Sequence, residues 1–242
     1  MPETPAGPAH EAQRKFTPDG QARPFRGNTI ISTVAPDSPL SAMLGSIRQR
    51  FAAQRYAHCL TLLPQSSYHM TVFEGVTELG RRAGLWPADL PLDAPLALCQ
   101  RHMEQALAGF TLDLPLPLRM RATELSAGQH PGAALRLVPF DAHEQARLRD
   151  LRDRLADCLR IRAPDHDQYG FHISLGYLLE TMSDAEMQAY AATRRACLAD
   201  VTAACPVIEL GAPQFCTFDD MAAFHRRLVL GNGAGAGPEY CR

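Results

Sequence analysis

Only one of the 24 basic residues in this 242-residue chain is a lysine, Lys15. Placed in a tail, that amine excludes Schiff-base chemistry and a P-loop, both of which need a lysine inside the folded site. Phosphate recognition then falls to arginine forks, hydroxyls, histidines and backbone amides. A basic surplus is missing as well. The net charge is −2, so no overall field draws the protein to long nucleic acid or an anionic membrane. No apolar run is long enough to span a bilayer, and the first residues lack the basic and apolar regions of a signal peptide. The seven cysteines include no C-x-x-C pair. We therefore expect a cytoplasmic monomer with reduced thiols, in which Cys59, Cys158 and Cys197 are small core residues.

An apolar fraction of 46% and a charged fraction of 21% are those of an ordinary globular protein. Residues 1–14, rich in Pro, Ala and Glu, read as a disordered tail, and 232–242, rich in glycine, as a flexible C-terminus. The body, 15–231, reads as a single domain in which strand-like and helix-like segments alternate. A strand at 28–34 precedes a helix capped by Asp37 or Ser38 with Pro39 in its first turn. A second strand spans about 67–74 and closes at Gly75. A helix at 95–109 is followed by paired strands around the turn A-G-Q-H-P-G. Asp141 and Glu144 form a capping box for a helix over 142–161, and Ser183 and Glu186 another for a helix to about 199. Strands near 206–210, 214–219 and 224–230 complete an α+β pattern without a parallel βαβ rhythm.

Two of the strands rhyme. Residues 68–73 read Y-H-M-T-V-F and 171–175 read F-H-I-S-L. On a strand, side chains at i and i+2 share a face. His69 and Thr71 thus point one way, as do His172 and Ser174, while Met70, Val72, Ile173 and Leu175 point into a core. Histidine titrates near neutrality, so two facing imidazoles can act together as general base and general acid. Two added hydroxyls suit a tetrahedral anion. In-line displacement at phosphorus needs mainly positioning and charge stabilisation, which such a quartet supplies without a metal.

H-M-T-V and H-I-S-L resemble the two H-x-[TS]-x signatures of the 2H (two-histidine) phosphoesterase superfamily. K-F-T-P-D-G, R-P-F-R-G-N-T-I-I, W-P-A-D-L-P-L-D-A-P-L, L-R-L-V-P and P-D-H-D-Q-Y-G-F-H-I-S-L-G-Y extend the resemblance over about 15–230, toward a bacterial and fungal branch without an assigned function. The resemblance implies a bilobal fold: two pseudo-symmetric lobes, each with an antiparallel sheet and flanking helices, around a central cleft. It implies His69, Thr71, His172 and Ser174 as the catalytic set. Members of that superfamily include RNA 2′,3′-cyclic phosphodiesterases, and although the resemblance implies no firm substrate for this branch, we expect activity on a nucleotide or short RNA end.

Strand parity extends the reading to the flanks. Phe73 falls on the face of His69 and reads as a wall for stacking a base. Gly170 and Gly176 fall on the face of His172, so that side reads as open. Arg136 alternates with Leu135 and Leu137 and can meet a phosphate. Tyr177 has core parity unless a bulge at Gly176 re-aims it toward substrate. Asp165, His166 and Asp167 match no metal-ligand spacing and precede a strand, as turn residues do; no metal or cofactor is expected. Two rival functions remain: a metal-dependent hydrolase built on those residues, and a non-catalytic nucleotide-binding module.

Overall fold

The computed structural model describes residues 8–125 and 132–231. Strands β1 (Gly27–Thr33), β2 (Leu60–Leu62), β3 (His69–Thr77), β4 (Leu118–Leu125), β5 (Ala134–Pro139), β6 (His172–Ser174), β7 (Gly176–Leu178), β8 (Ile208–Leu210), β9 (Gln214–Phe218) and β10 (His225–Val229) all pair antiparallel. One half of the main sheet runs β10-β9-β1-β3 and the other β6-β5-β4-β8. The halves join edge to edge through one residue pair, Met70 with Ile173. The expected α+β bilobal architecture is present, with the two lobe sheets continuous across this junction. β2 and β7 form a separate two-stranded sheet beside it.

The helices are α1 (Pro8–Lys15), α2 (Pro39–Ala52), α3 (Leu96–Ala108), α4 (Ala142–Leu159) and α5 (Asp184–Ala204). Ser38 rather than Asp37 caps α2, accepting from the Ser41 amide at 3.1 Å. α5 begins with the full capping box of Ser183 and Glu186. α4 has half of one: Asp141 accepts from the Glu144 amide at 2.8 Å, but the Glu144 carboxylate turns to Arg147 and Arg119 instead of back to the cap. Leu148, Leu151, Leu155 and Leu159 form the buried stripe of α4, which packs against β3 and β5. Met70, Val72 and Ile173 are fully buried. Covering this face of the junction strands with helix leaves the opposite face for the site.

Two boundaries differ from expectation. The sequence predicts a tail over 1–14, but Pro8–Lys15 is helical, and Ala12 and the following Phe16 are buried. A short amphipathic segment with one apolar stripe docks on the fold despite its polar composition. β3 does not close at Gly75 but continues to Thr77. Gly75 is needed there because β1 approaches so closely that a Cβ would strike Asn28, whose Oδ1 accepts from the Val76 amide at 3.1 Å. Most of the turn A-G-Q-H-P-G, and the segments 1–7 and 232–242, lie outside the described residues.

Candidate active site

The Met70–Ile173 pair sets the register of the junction. One residue further along each strand, His69 lies opposite Ser174, and Thr71 lies opposite His172. All four point to the face away from the buried Met70 and Ile173. Directly opposed side chains start closer together than i, i+2 neighbours on one strand. Each histidine Cβ therefore starts nearer the hydroxyl residue of the other strand than that of its own. The histidines themselves sit on a diagonal, where Cβ atoms are about 7 Å apart, room for a phosphoryl group between two imidazoles.

The rings are held alike. His69 Nδ1 bonds the Ser67 carbonyl at 2.7 Å, and His172 Nδ1 bonds the Gly170 carbonyl at 3.2 Å. A carbonyl only accepts, so each Nδ1 carries the hydrogen and each Nε2 is presented to the cleft. In both cases the partner lies two residues before the histidine, which repeats the rhyme in the hydrogen bonding. The four residues line a cleft of about 660 Å³, within the usual size of small-molecule sites.

Residues 15–130 match the family model 2H-phosphodiest, described as a domain of unknown function (DUF1868). The crystal structure of a conserved protein of unknown function from Agrobacterium tumefaciens str. C58, ATU0111, is 32% identical and superposes with a TM-score of 0.86, over 93% of this chain and 94% of that one. The chain belongs to the 2H-phosphodiest family. TT0787 of Thermus thermophilus is 15% identical with a TM-score of 0.41, over 86% of this chain and 100% of that one. No curated protein matches the sequence.

The second histidine strand of this 2H-phosphodiest chain lies beyond the matched segment, so its place in the site rests on the geometry above. That geometry corrects the parity reading of the first strand. Thr71 pairs with Ile31 and Phe73 with the adjacent Ile30, which leaves Val72 as an extra residue, a β-bulge. Beyond the bulge the faces exchange. Phe73 is buried against His166 and the Arg152 guanidinium rather than lining the cleft, and Glu74 lines it instead. The second strand breaks at the matching place. The amides of Leu175 and Gly176 both donate to the Ala133 carbonyl, at 2.7 and 3.0 Å. This brings Tyr177 round to the cleft, as a bulge at Gly176 requires. Glu74 and Tyr177 each follow their histidine by five residues.

The glycine side of the cleft is narrowed at both positions, although Gly170 itself is exposed. β2 fills the space at Gly176, where a Cβ would lie 2.6 Å from the Thr61 carbonyl. At Gly170 the space is taken by Arg136, whose Nη2 would lie 3.1 Å from an added Cβ. Arg136 pairs with His172 across β5 and β6 and lines the cleft. Lys15 also lines it, with its ammonium 5.3 Å from the centre of the Phe25 ring and 5.0 Å from that of Tyr177. Reading Lys15 as part of a tail misses this. The available signal is the spacing of Ala12 and Phe16, one helical turn apart.

A support beneath the quartet is not visible in the sequence. Arg152 of α4 is buried; it donates to the Val72 carbonyl at 2.7 Å and stacks 4.0 Å from the centre of the Tyr169 ring. The Tyr169 hydroxyl lies near the Thr71 side chain, and burial pushes the phenol pKa far up, so it stays protonated. His69 is half-buried with the Phe224 ring 4.3 Å away. Burial, reinforced by the neighbouring His172 and opposed by the Ser67 carbonyl, brings His69 down to about 4. It is therefore a neutral base at neutral pH.

Of the remaining polar residues, Asp165 lines the cleft, whereas Arg119 is held by Asp141 and Glu144 outside it. His166 is buried against Asp153 at 3.1 Å, and Arg162 bridges Asp153 and Asp167 at 3.0 and 2.7 Å. Arg162 thus occupies the carboxylates that a metal at this place would need. Among the described residues, the two close groups of three His, Cys, Asp or Glu donors do not include His69 or His172.

Proposed function

We propose that this protein is a metal-independent phosphodiester hydrolase that opens a cyclic phosphodiester, such as a 2′,3′-cyclic phosphate on a nucleotide or short RNA end. The observation carrying this reading is the crossed quartet: two Nε2 atoms and two hydroxyls around one phosphate-sized point, with both rings tied by Nδ1 to backbone carbonyls. His69, neutral because it is buried, takes a proton from water as the water oxygen attacks phosphorus. His172 gives a proton to the departing ribose oxygen on the opposite side. One P–O bond forms, one breaks, and the product is a phosphomonoester. Thr71, Ser174 and Arg136 stabilise the charge on the non-bridging oxygens.

A cleft of about 660 Å³ and a net charge of −2 favour a small substrate over long RNA. Arg136 and Lys15 supply local cations for it. The reading is tested by offering purified protein 2′,3′-cyclic nucleotides, linear 2′–5′ and 3′–5′ oligonucleotides and cyclic dinucleotides, with His69→Ala as the control. Turnover of a cyclic phosphate that disappears in the control is expected. Tight nucleotide binding without turnover of any of them would replace this reading with a binding module.

A further inference from the structure

Away from the cleft, the donor atoms of His58, Cys59 and Glu180 all lie within 4.8 Å of one another, with Glu186 beside His58. From His58 Nε2 it is 3.4 Å to Cys59 Sγ, 3.5 Å to Glu180 Oε1 and 3.6 Å to Glu186 Oε1. A tetrahedral ion with bonds of about 2.0–2.3 Å separates its ligand atoms by roughly 3.3–3.8 Å. All three distances fall in that interval. We propose that His58, Cys59 and Glu180, with Glu186 at hand beside His58, form a structural site for a zinc-like divalent ion.

The surroundings prepare each donor. His58 Nδ1 donates to the Arg55 carbonyl at 3.0 Å, which leaves the Nε2 lone pair facing the cluster. Such a tie on the remote nitrogen is the usual support of a metal-binding histidine. The Glu186 Oε2 atom accepts from the Ser183 hydroxyl at 2.6 Å and amide at 2.8 Å, so its Oε1 is free to turn inward. Cys59 is 1% exposed, and its thiol lies within 4.8 Å of a Glu180 carboxylate oxygen. Arg55 favours the Glu186 carboxylate from nearby, but its guanidinium bonds the Ala185 carbonyl at 2.7 Å rather than bridging the two glutamates. This contrasts with Asp153, His166 and Asp167, where Arg162 already fills the centre. One imidazole, one thiol and carboxylates are a donor set that suits zinc among the common divalent ions.

Binding would form the S–metal bond with release of the thiol proton to solvent. It would join the turn before β2 to the segment after β7 and the first turn of α5. Since β2 pairs with β7 and Thr61 with Tyr177, the ion would hold in place the strand that supplies a wall of the cleft. It would leave the two-histidine chemistry metal-free.

The test adds zinc or cobalt(II) to metal-free full-length protein. One ion per chain is expected, with a raised Tm for zinc and a thiolate-to-cobalt absorption band. Glu180→Gln and His58→Gln alter exposed side chains and should each weaken binding at least about tenfold. Cys59→Ser should abolish the band. His69→Ala/His172→Ala, lacking both cleft imidazoles, should bind as the parent does. Absence of stoichiometric binding, a cobalt complex without the thiolate band, or binding unchanged in both Glu180→Gln and His58→Gln would overturn the proposal. If Cys59→Ser fails to fold, the parent spectrum and the two exposed variants decide.

Discussion

His69 lies across from Ser174, and Thr71 across from His172, on two antiparallel strands that touch through the single pair between them. Each imidazole is thereby matched to a hydroxyl from the other half of the chain. The site exists only where the two lobes meet.

The crossed arrangement predicts coupled losses. His69→Ala and His172→Ala should each lower kcat by on the order of 10²–10⁴ with Tm little changed. The double variant should lose much less than the product of the two, because both groups serve one transfer. Thr71→Ala and Ser174→Ala should cost roughly 10²-fold each if they stabilise charge on phosphorus. Fully additive losses in the double histidine variant would argue against joint action.

The low pKa of His69 has a sign that can be checked. Its ordinary value near 6.5 falls to about 4 in the folded protein. The unfolded chain therefore binds more protons between those values. Stability is unaffected by this group above pH 6.5 and declines as pH falls from about 6.5 toward 4. His69→Gln should flatten that part of a pH–Tm curve. The acid limb of kcat/KM should likewise lie near pH 4 instead of near 6.5.

Gly170 leaves room for the Arg136 guanidinium beside it. A Cβ there would sit 3.1 Å from the guanidinium and push it aside. Gly170→Ala should lower kcat/KM roughly tenfold, about 1.4 kcal/mol, with a smaller effect in an Arg136→Ala background. Arg136→Lys should restore little, because a lysine ammonium does not reproduce the planar fork. Equal effects of Gly170→Ala in both backgrounds would detach the glycine from the arginine.

The Tyr169 hydroxyl lies near the Thr71 side chain, where it can position that residue. Tyr169→Phe keeps the ring beneath Arg152 and removes only the hydroxyl. A lower kcat at nearly constant KM is expected, with a stability loss of about 1 kcal/mol. A change confined to KM would place Tyr169 in substrate binding instead.

Chelation separates the chemistry from the site at His58. EDTA should leave the rate of cyclic phosphate opening unchanged well below the melting temperature. Loss of activity restored by a divalent metal would sink the two-histidine mechanism.

Much of the fold is legible because its signals are local. The capping of α5, the leucine stripe of α4 and the alternation of Met70, Val72 and Ile173 each lie within a few residues. Their periods match the buried faces found. Parity misplaces Phe73 for the same reason that it places Met70 correctly. The alternation holds along a strand until a residue is inserted, and Val72 is that insertion. Nothing near Val72 announces a bulge, since it arises from the fit of β3 to β1. Gly170 and Gly176 read as openings because a glycine in sequence does not reveal what fills its space. Arg136 and β2 fill it, and both come from elsewhere in the chain.

By itself, the sequence determined that His69 and Thr71 share a face, and that His172 and Ser174 share one, because a period of two follows from strand geometry alone. It also determined the family resemblance. Only the tertiary structure decided that each histidine is matched to the opposite strand's hydroxyl, that Glu74 and Tyr177 enter the cleft and Phe73 leaves it, and that Lys15 and Arg152 reach the site. Those relations depend on register, bulges and helix docking, in which residues far apart in the chain compete for the same space.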